Sequence, residues 1–356
     1  MTTHISPAAI LAPDDITFVT DQLQPYLRNL LVREQAAWAE RAGLSWTDLP
    51  GTLAAYLDGG KALRPRFCYW GHAITGEDTS PLLVQACAAL ELLHTFALIH
   101  DDLMDGSDTR RGRPALHREI AGQHRRGGRA GDADQYGHAM ALLAGDLAFS
   151  VASRLAAALP APAVTIWSRM VDELVLGQFL DLAGAARQDR SPEVAGVTAQ
   201  LKSGQYTVTS PLRLGAALAG VQELPAGLVR YGDLTGEAFQ LRDDLLGVFG
   251  DPRRTGKPAG DDLISGKPTQ VLALAADTLS PYGQALLALA GTSALTRSDA
   301  AELTSELIRC GARDRIEAKI RHNVDLACAL VDRAAVPPRA GDALRKLAMA
   351  AADRQR

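Results

Sequence analysis

A chain of 356 residues that is 47% hydrophobic but only 5% aromatic is long enough to bury the core of one large domain or two ordinary ones. Its wealth of Ala and Leu favours helices packed closely on small side chains. A formal net charge of −4 argues against a general nucleic-acid binder, whose phosphate contacts need a basic excess, so any phosphate chemistry must come from local clusters.

Residues 1–13 hold Pro7, Pro13 and little to bury, and are expected to be disordered. Residues 14–356 read as a single all-α domain. "DDITFVTDQLQPYLRNLLVREQAAWAE" and "SPLLVQACAALELLHTFALIHDDLMD" space their apolar residues by three and four, as helices do. Ser80 and Pro81 supply a cap and a first helical position for the second of these. Further helical stretches fall at 138–158, 163–183, 194–218, 225–248, 299–332 and 340–354, and no segment alternates with a two-residue period. "RRGRPALHREIAGQHRRGGRAGDADQYG", "GAARQDRSPEVAG" and "GDPRRTGKPAGDDLISGKPTQ" read as the loops between them. The arginines of "QHRRGGRAGD" have no interleaved aromatic residues, which fits a solvated loop better than an RNA contact. No run of about 18 apolar residues is free of charge, so no transmembrane segment is expected. Cys68, Cys87, Cys310 and Cys328 lack zinc spacing or a disulfide framework, which suits reduced thiols in a cytoplasm.

The chemistry concentrates in a few stretches. In "DDLMD", Asp101 and Asp105 fall one helical turn apart on the same face, beside Asp102. Like charges so placed repel, and a hard divalent cation is a physical reason to keep them there. Magnesium suits an open cluster, because it keeps waters and takes phosphate oxygens beside one or two carboxylates. Alone, the motif also fits a solvated acidic helix end. A second pair, Asp243 and Asp244, ends another apolar run, with Gln240 one turn before Asp244. Lys61 and Arg64 flank a Gly-rich turn, His94 lies two turns before Asp101, and Arg110 and Arg111 follow the aspartates. These cations would grip an anion directly while the carboxylates hold one through metal.

In these blocks the chain resembles the trans-isoprenyl diphosphate synthases, the polyprenyl synthetase family. The likeness spans roughly residues 50–335, through "GGKALRP", "LLHTFALIHDDLMDGSDTRRGRPALH", "LLAGDLAF", "GQFLDL", "KSGQYTVTSPL", "FQLRDDLLGVFGD" and "TGKPAGDDLISGK". The resemblance implies an isoprenoid-synthase-type helical bundle around a deep central apolar cavity. It also implies a homodimer, and head-to-tail condensation of isopentenyl diphosphate with the allylic diphosphates DMAPP, GPP and FPP. Asp101, Asp102, Asp105, Asp243 and Asp244 match the two aspartate motifs that hold several Mg2+ ions, with Mn2+ able to substitute. Lys61, Arg64, His94 and Arg111 match the grip on isopentenyl diphosphate. Arg110, Lys202 and Lys257 match that on the allylic diphosphate. Gln178 and Asp181 match "GQxxD", and Gln240 a polar residue near the second motif. Gly247 stands where many members carry a third aspartate, with Asp251 further on, and Ser203 where threonine is common.

Phe96 and Ala97 lie about one turn below Asp101, where each further turn deepens a cavity by about 5.4 Å, roughly one isoprene unit. An aromatic residue at 96 with none at 97 resembles the pattern of synthases that stop at geranylgeranyl diphosphate (C20), with farnesyl (C15) and geranylfarnesyl (C25) products as alternatives. A class I terpene cyclase would not need the second anion grip, and a non-catalytic synthase subunit would be expected to lose aspartates from the first motif.

Overall fold

The computed structural model describes residues 14–44, 48–57, 60–76, 79–251 and 260–353. The expected disorder of residues 1–13 and the candidate Lys257 lie outside that range.

Helices form where their end signals and apolar stripes predict. Ser80 caps Pro81–Met104 by accepting from the Leu83 amide at 3.2 Å, and Pro81 takes the first-turn position where it gives up no hydrogen bond. This helix packs on Ala133–Ala157. There Ala141, Ala144, Ala148 and Ala152, all fully buried, repeat by three and four and let the two backbones approach closely. Both helices are long and apolar enough to cross a membrane by length and composition alone. Glu91 and Asp146 interrupt them, and 56% of the first helix's apolar window is buried within the protein.

Ala226–Phe249 packs on Ala312–Arg333 and on the segment Gln200–Thr209. Its first half gives Leu228, Tyr231 and Leu234 to a large core shared with Leu83, Leu90 and Leu93. Its second half gives Leu241, Leu245 and Val248 to a smaller core with Leu263, Leu303 and Ile316. One helix thus joins both cores and carries the second acidic pair at its far end.

Several expectations are corrected by packing. The stretch 194–218 is not one α-helix: Pro192–Ala199 and Ser210–Leu218 are joined by a π-helical segment, Gln200–Thr209. The widened turns, a form that recurs at functional sites, coincide with glycine contacts. A Cβ on Gly177 would lie 2.3 Å from the Lys202 amide nitrogen, and one on Gly236 would lie 2.6 Å from the Gly204 Cα. The stretch 299–332 divides into Arg297–Arg309 and Ala312–Arg333 at Gly311, whose φ of 76° ends the first helix. The supposed loop after residue 110 holds the helix Leu116–Arg126, which buries Leu116, Ile120, Ala121 and His124 against Ala133–Ala157. Its dense charge hid that short stripe. Strands Thr109–Arg110 and Arg113–Pro114 pair as a minimal antiparallel hairpin. Its two turn residues, Arg111 and Gly112, both have positive φ, as the tight turns favoured by strand twist require.

The close approach at Gly177 yields the first prediction. Gly177→Val would drive a branched side chain into the backbone of the Lys202 segment. It should cost stability in the upper part of the roughly 1–3 kcal/mol range for overpacking, read by denaturant unfolding. An unchanged unfolding midpoint would show that the two helices can separate freely.

Candidate active site

The end of Pro81–Met104 presents Asp101, Asp102 and the C-cap residue Asp105. Their surroundings differ. Asp102 is only 1% exposed; its Oδ1 accepts from Arg110 Nε at 2.9 Å and its Oδ2 from the Tyr56 hydroxyl at 3.4 Å. Arg110 Nη2 also donates to Asp102 and, at 3.0 Å, to Asp101 Oδ2. Burial works against the Arg110 charge, but Asp102 and Asp101 outweigh it and raise its pKa. Arg110 thus bridges Asp102 and Asp101, and Asp101 and Asp105 each also meet a lysine.

Lys202, on the π segment, donates to Asp181 Oδ2 at 2.6 Å and to Asp101 Oδ1 at 3.2 Å. Its pKa rises although burial opposes the charge, because Asp101 and Asp181 favour it. Lys267 Nζ donates to Asp105 Oδ2 at 2.6 Å. Its pKa is also raised against burial, by Asp262, Asp101, Asp105 and Asp181 together. Lys267 is thus paired with the first acidic cluster and also feels the charge of Asp262.

In that second cluster Asp244 is 4% exposed. Gln240 Nε2 donates to its Oδ1 at 2.7 Å and the Gln270 amide to its Oδ2 at 3.2 Å. Burial pushes its carboxyl up to about 7 against those hydrogen bonds, and Asp262 and Asp243 add to the push. Asp243 itself is half-buried. Gln178 lies apart from these pairs and donates to Met104 Sδ at 3.8 Å.

The basic residues lie on other elements. Arg64 is buried, donates to Thr207 Oγ1 at 2.9 Å and places its guanidinium 4.1 Å from the centre of the Tyr206 ring. The His94 ring lies 6.3 Å from that ring. The Arg111 guanidinium lies over Gly60, its Nη2 3.4 Å from where a Cβ would sit, at ordinary van der Waals distance, and Lys61 is exposed in the same turn. Ala62 and Arg111 have left-handed backbones with φ of 46° and 54°; strain of this kind persists where surrounding structure enforces it. Burial lowers the Arg111 pKa and raises that of Glu91, and the two charges favour one another. Phe96 and Ala97 lie half-buried lower on the helix, with the Phe96 ring 5.0 Å from Phe149 and 4.6 Å from His100.

Sequence reasoning missed Lys267, Asp262, Glu91, Tyr56 and the Tyr206–Thr207 support. Glu91, one turn before His94 on the same face, carried a readable signal; the others become neighbours only through tertiary packing. Among the described residues, no group of three or more Asp, Glu, His or Cys side chains stands ready to hold a metal ion. The donors are nonetheless hard oxygens, and Asp243, Asp244 and Asp262 crowd their charges. That chemistry fits Mg2+, and Arg110, Lys202 and Lys267 pair with the carboxylates of the first cluster.

Comparison with known proteins agrees. A family model described as polyprenyl synthetase matches residues 49–307. A (2E,6E)-farnesyl diphosphate synthase of Mycobacterium bovis is 32% identical over 368 aligned positions, covering 100% of this chain and 95% of that protein. A geranylgeranyl diphosphate synthase of Mycobacterium tuberculosis is 32% identical over 295 positions, covering 79% and 77%. The crystal structure of a geranylgeranyl pyrophosphate synthase from Corynebacterium glutamicum, complexed with isoprenyl diphosphate and magnesium, superposes with a TM-score of 0.83. It shares 35% identity over 94% of this chain and 99% of that one.

The raised pKa of Asp244 sets a pH prediction for the metal-free protein. Its folded value of about 7 lies above its ordinary 3.8, so its contribution to stability is complete below the ordinary value and is lost as pH rises through about 7. Melting curves in chelator from about pH 5 to 8 should show a fall in Tm that Asp244→Asn reduces. Identical pH slopes for the two proteins would contradict the assignment.

Proposed function

The chain belongs to the polyprenyl synthetase family and is a short-chain trans-prenyl diphosphate synthase; we propose that its main product is geranylgeranyl diphosphate. Phe96 carries the choice of C20: it precedes the first aspartates by about one helical turn, and its ring is braced by Phe149 and His100. A C15 product is the second reading, favoured by the full-length similarity to a farnesyl diphosphate synthase.

Asp101, Asp102 and Asp105, with Asp243 and Asp244, would hold magnesium on the allylic diphosphate, and Asp102 also holds Arg110 in place. Bound magnesium would neutralise the departing diphosphate. Lys202, Lys257 and Arg110 add donors whose hold strengthens as negative charge grows on that leaving group. Gln178 lies near the resulting allylic cation. Lys61, Arg64, His94 and Arg111 hold isopentenyl diphosphate so that its double bond lies beside the cation, within a deep apolar cavity between the helices that excludes water. The last proton leaves to the released diphosphate, so no dedicated side-chain base is needed.

The enzyme works as a homodimer in the cytoplasm. Four free cysteines, two of them buried, suit a reducing compartment. Val175, Leu176, Phe179 and Leu182 form an exposed apolar stripe on the helix Ala161–Arg187, a surface that a second copy would cover.

Purified protein with magnesium, labelled isopentenyl diphosphate and a C5, C10 or C15 allylic starter should give a dominant C20 diphosphate. A C15 end product would overturn the chain length and keep the chemistry; no product from any starter would overturn both. Asp101→Ala should lower turnover about 10²-fold or more while the protein still melts cooperatively. Phe96→Ala should yield products beyond C20, and an unchanged product spectrum would move the cavity floor elsewhere.

A further inference from the structure

The π-helical segment Gln200–Thr209 carries contacts to both groups of candidate residues. Near its start, Lys202 donates to Asp181 at 2.6 Å and to Asp101 at 3.2 Å. Near its end, Thr207 Oγ1 accepts from Arg64 Nη2 at 2.9 Å, and the Tyr206 ring centre lies 4.1 Å from the Arg64 guanidinium. In an α-helix, at 3.6 residues per turn, side chains five apart point about 140° away from one another. The i→i+5 bonds of a π-helix set such residues on neighbouring turns instead. The widened register thus lets one segment offer Lys202 to the first aspartates and Thr207 to Arg64.

A π-helix is rare and mostly a single turn, so a run of ten residues needs support from outside. Glycines supply closeness without choosing a register: a Cβ on Gly232 would lie 2.6 Å from Thr209 Oγ1, and one on Gly236 would lie 2.6 Å from the Gly204 Cα. One side chain adds direction. Asp233 Oδ1 accepts from Gln205 Nε2 at 3.0 Å and from Thr209 Oγ1 at 3.2 Å. Thr209 is fully buried, where a hydroxyl without an acceptor is costly. It closes the π segment, and Ser210 begins the next α-helix. Asp233 therefore pins both the middle and the end of the segment to the helix Ala226–Phe249, which also carries the second acidic pair.

We propose that Asp233 is a positioning residue for both substrates: its carboxylate fixes the π-helical register of Gln200–Thr209, and that register sets Lys202 for the allylic diphosphate and Arg64 for isopentenyl diphosphate together. Asp233 acts through the segment and touches neither substrate. Loss of Lys202 or of Arg64 would weaken one site. Loss of Asp233 would weaken both.

The inference rests on the synthase reading, and steady-state kinetics of the full chain with Mg2+ separates the two. Asp233→Ala removes the acceptor and should raise KM for the allylic and for isopentenyl diphosphate together, each about three- to thirtyfold. Asp233→Asn keeps an oxygen acceptor and should bring both values back close to those of the unmodified protein. In a Lys202→Ala background, Asp233→Ala should no longer raise the allylic KM but should still raise that for isopentenyl diphosphate, because effects routed through one residue do not add. A rise in one KM alone, allylic losses that simply add in the double variant, or a lower Tm with both KM values unchanged would overturn the proposal. If Asp233→Ala does not fold, Gln205→Leu removes one of the two contacts and should give the same paired rise; unchanged values there would overturn the proposal equally. No condensation by the unmodified protein would instead overturn the synthase reading, and this inference with it.

Discussion

The structure turns on carboxylates gathered at the wrong ends of helices. Asp101, Asp102 and Asp105 finish Pro81–Met104, and Asp243 and Asp244 lie near the end of Ala226–Phe249. A helix C-terminus already carries partial negative charge and favours cations. Mutual repulsion adds to that cost, so both clusters require positive charge from elsewhere. Arg110, Lys202 and Lys267 provide it to the first cluster, from a hairpin, a π-helical segment and the turn that follows the short helix Asp261–Ile264. Elements far apart in sequence are drawn to the first cluster by this need, and the oxygen donors gathered there are of the kind that a hard divalent ion takes.

The hairpin also explains why two arginines follow the aspartates. Arg110 lies on a strand and Arg111 in the turn, so the two neighbours part. Arg110 meets Asp101 and Asp102, and Arg111 lies over Gly60 beside Lys61 and Arg64. One two-residue turn therefore sends one arginine to the first aspartates and the next to the Gly60 turn. Replacing Arg111 or Gly112 with residues that resist positive φ would disturb both sites at once.

Much of this was legible in the sequence. The Ser80–Pro81 start, the apolar spacing of the long helices and the paired carboxylates are local patterns, and local patterns survive folding. The helix Leu116–Arg126 was hidden because its apolar stripe is narrow among many charges. The hairpin was hidden because two-residue strands have no period to detect. The π segment depends on Gly177 and Gly236 meeting chain nearby in space and distant in sequence. Lys267 and Asp262 lie in a Gly- and Lys-rich stretch that reads as a loop, and packing of Leu263 is what brings them to the acidic mouth. Gly247 looked like a lost ligand in one dimension; in three it faces another aspartate.

The most direct measurement is the structure of the full chain with Mg2+ and inorganic pyrophosphate. If the acidic helix ends are held ready for a divalent ion, Asp101, Asp105 and Asp243 will bear on metal. Lys202 Nζ will have left Asp101 and Asp181 for a phosphate oxygen. Lysines still locked on those carboxylates, with the pyrophosphate bound elsewhere, would contradict the claim.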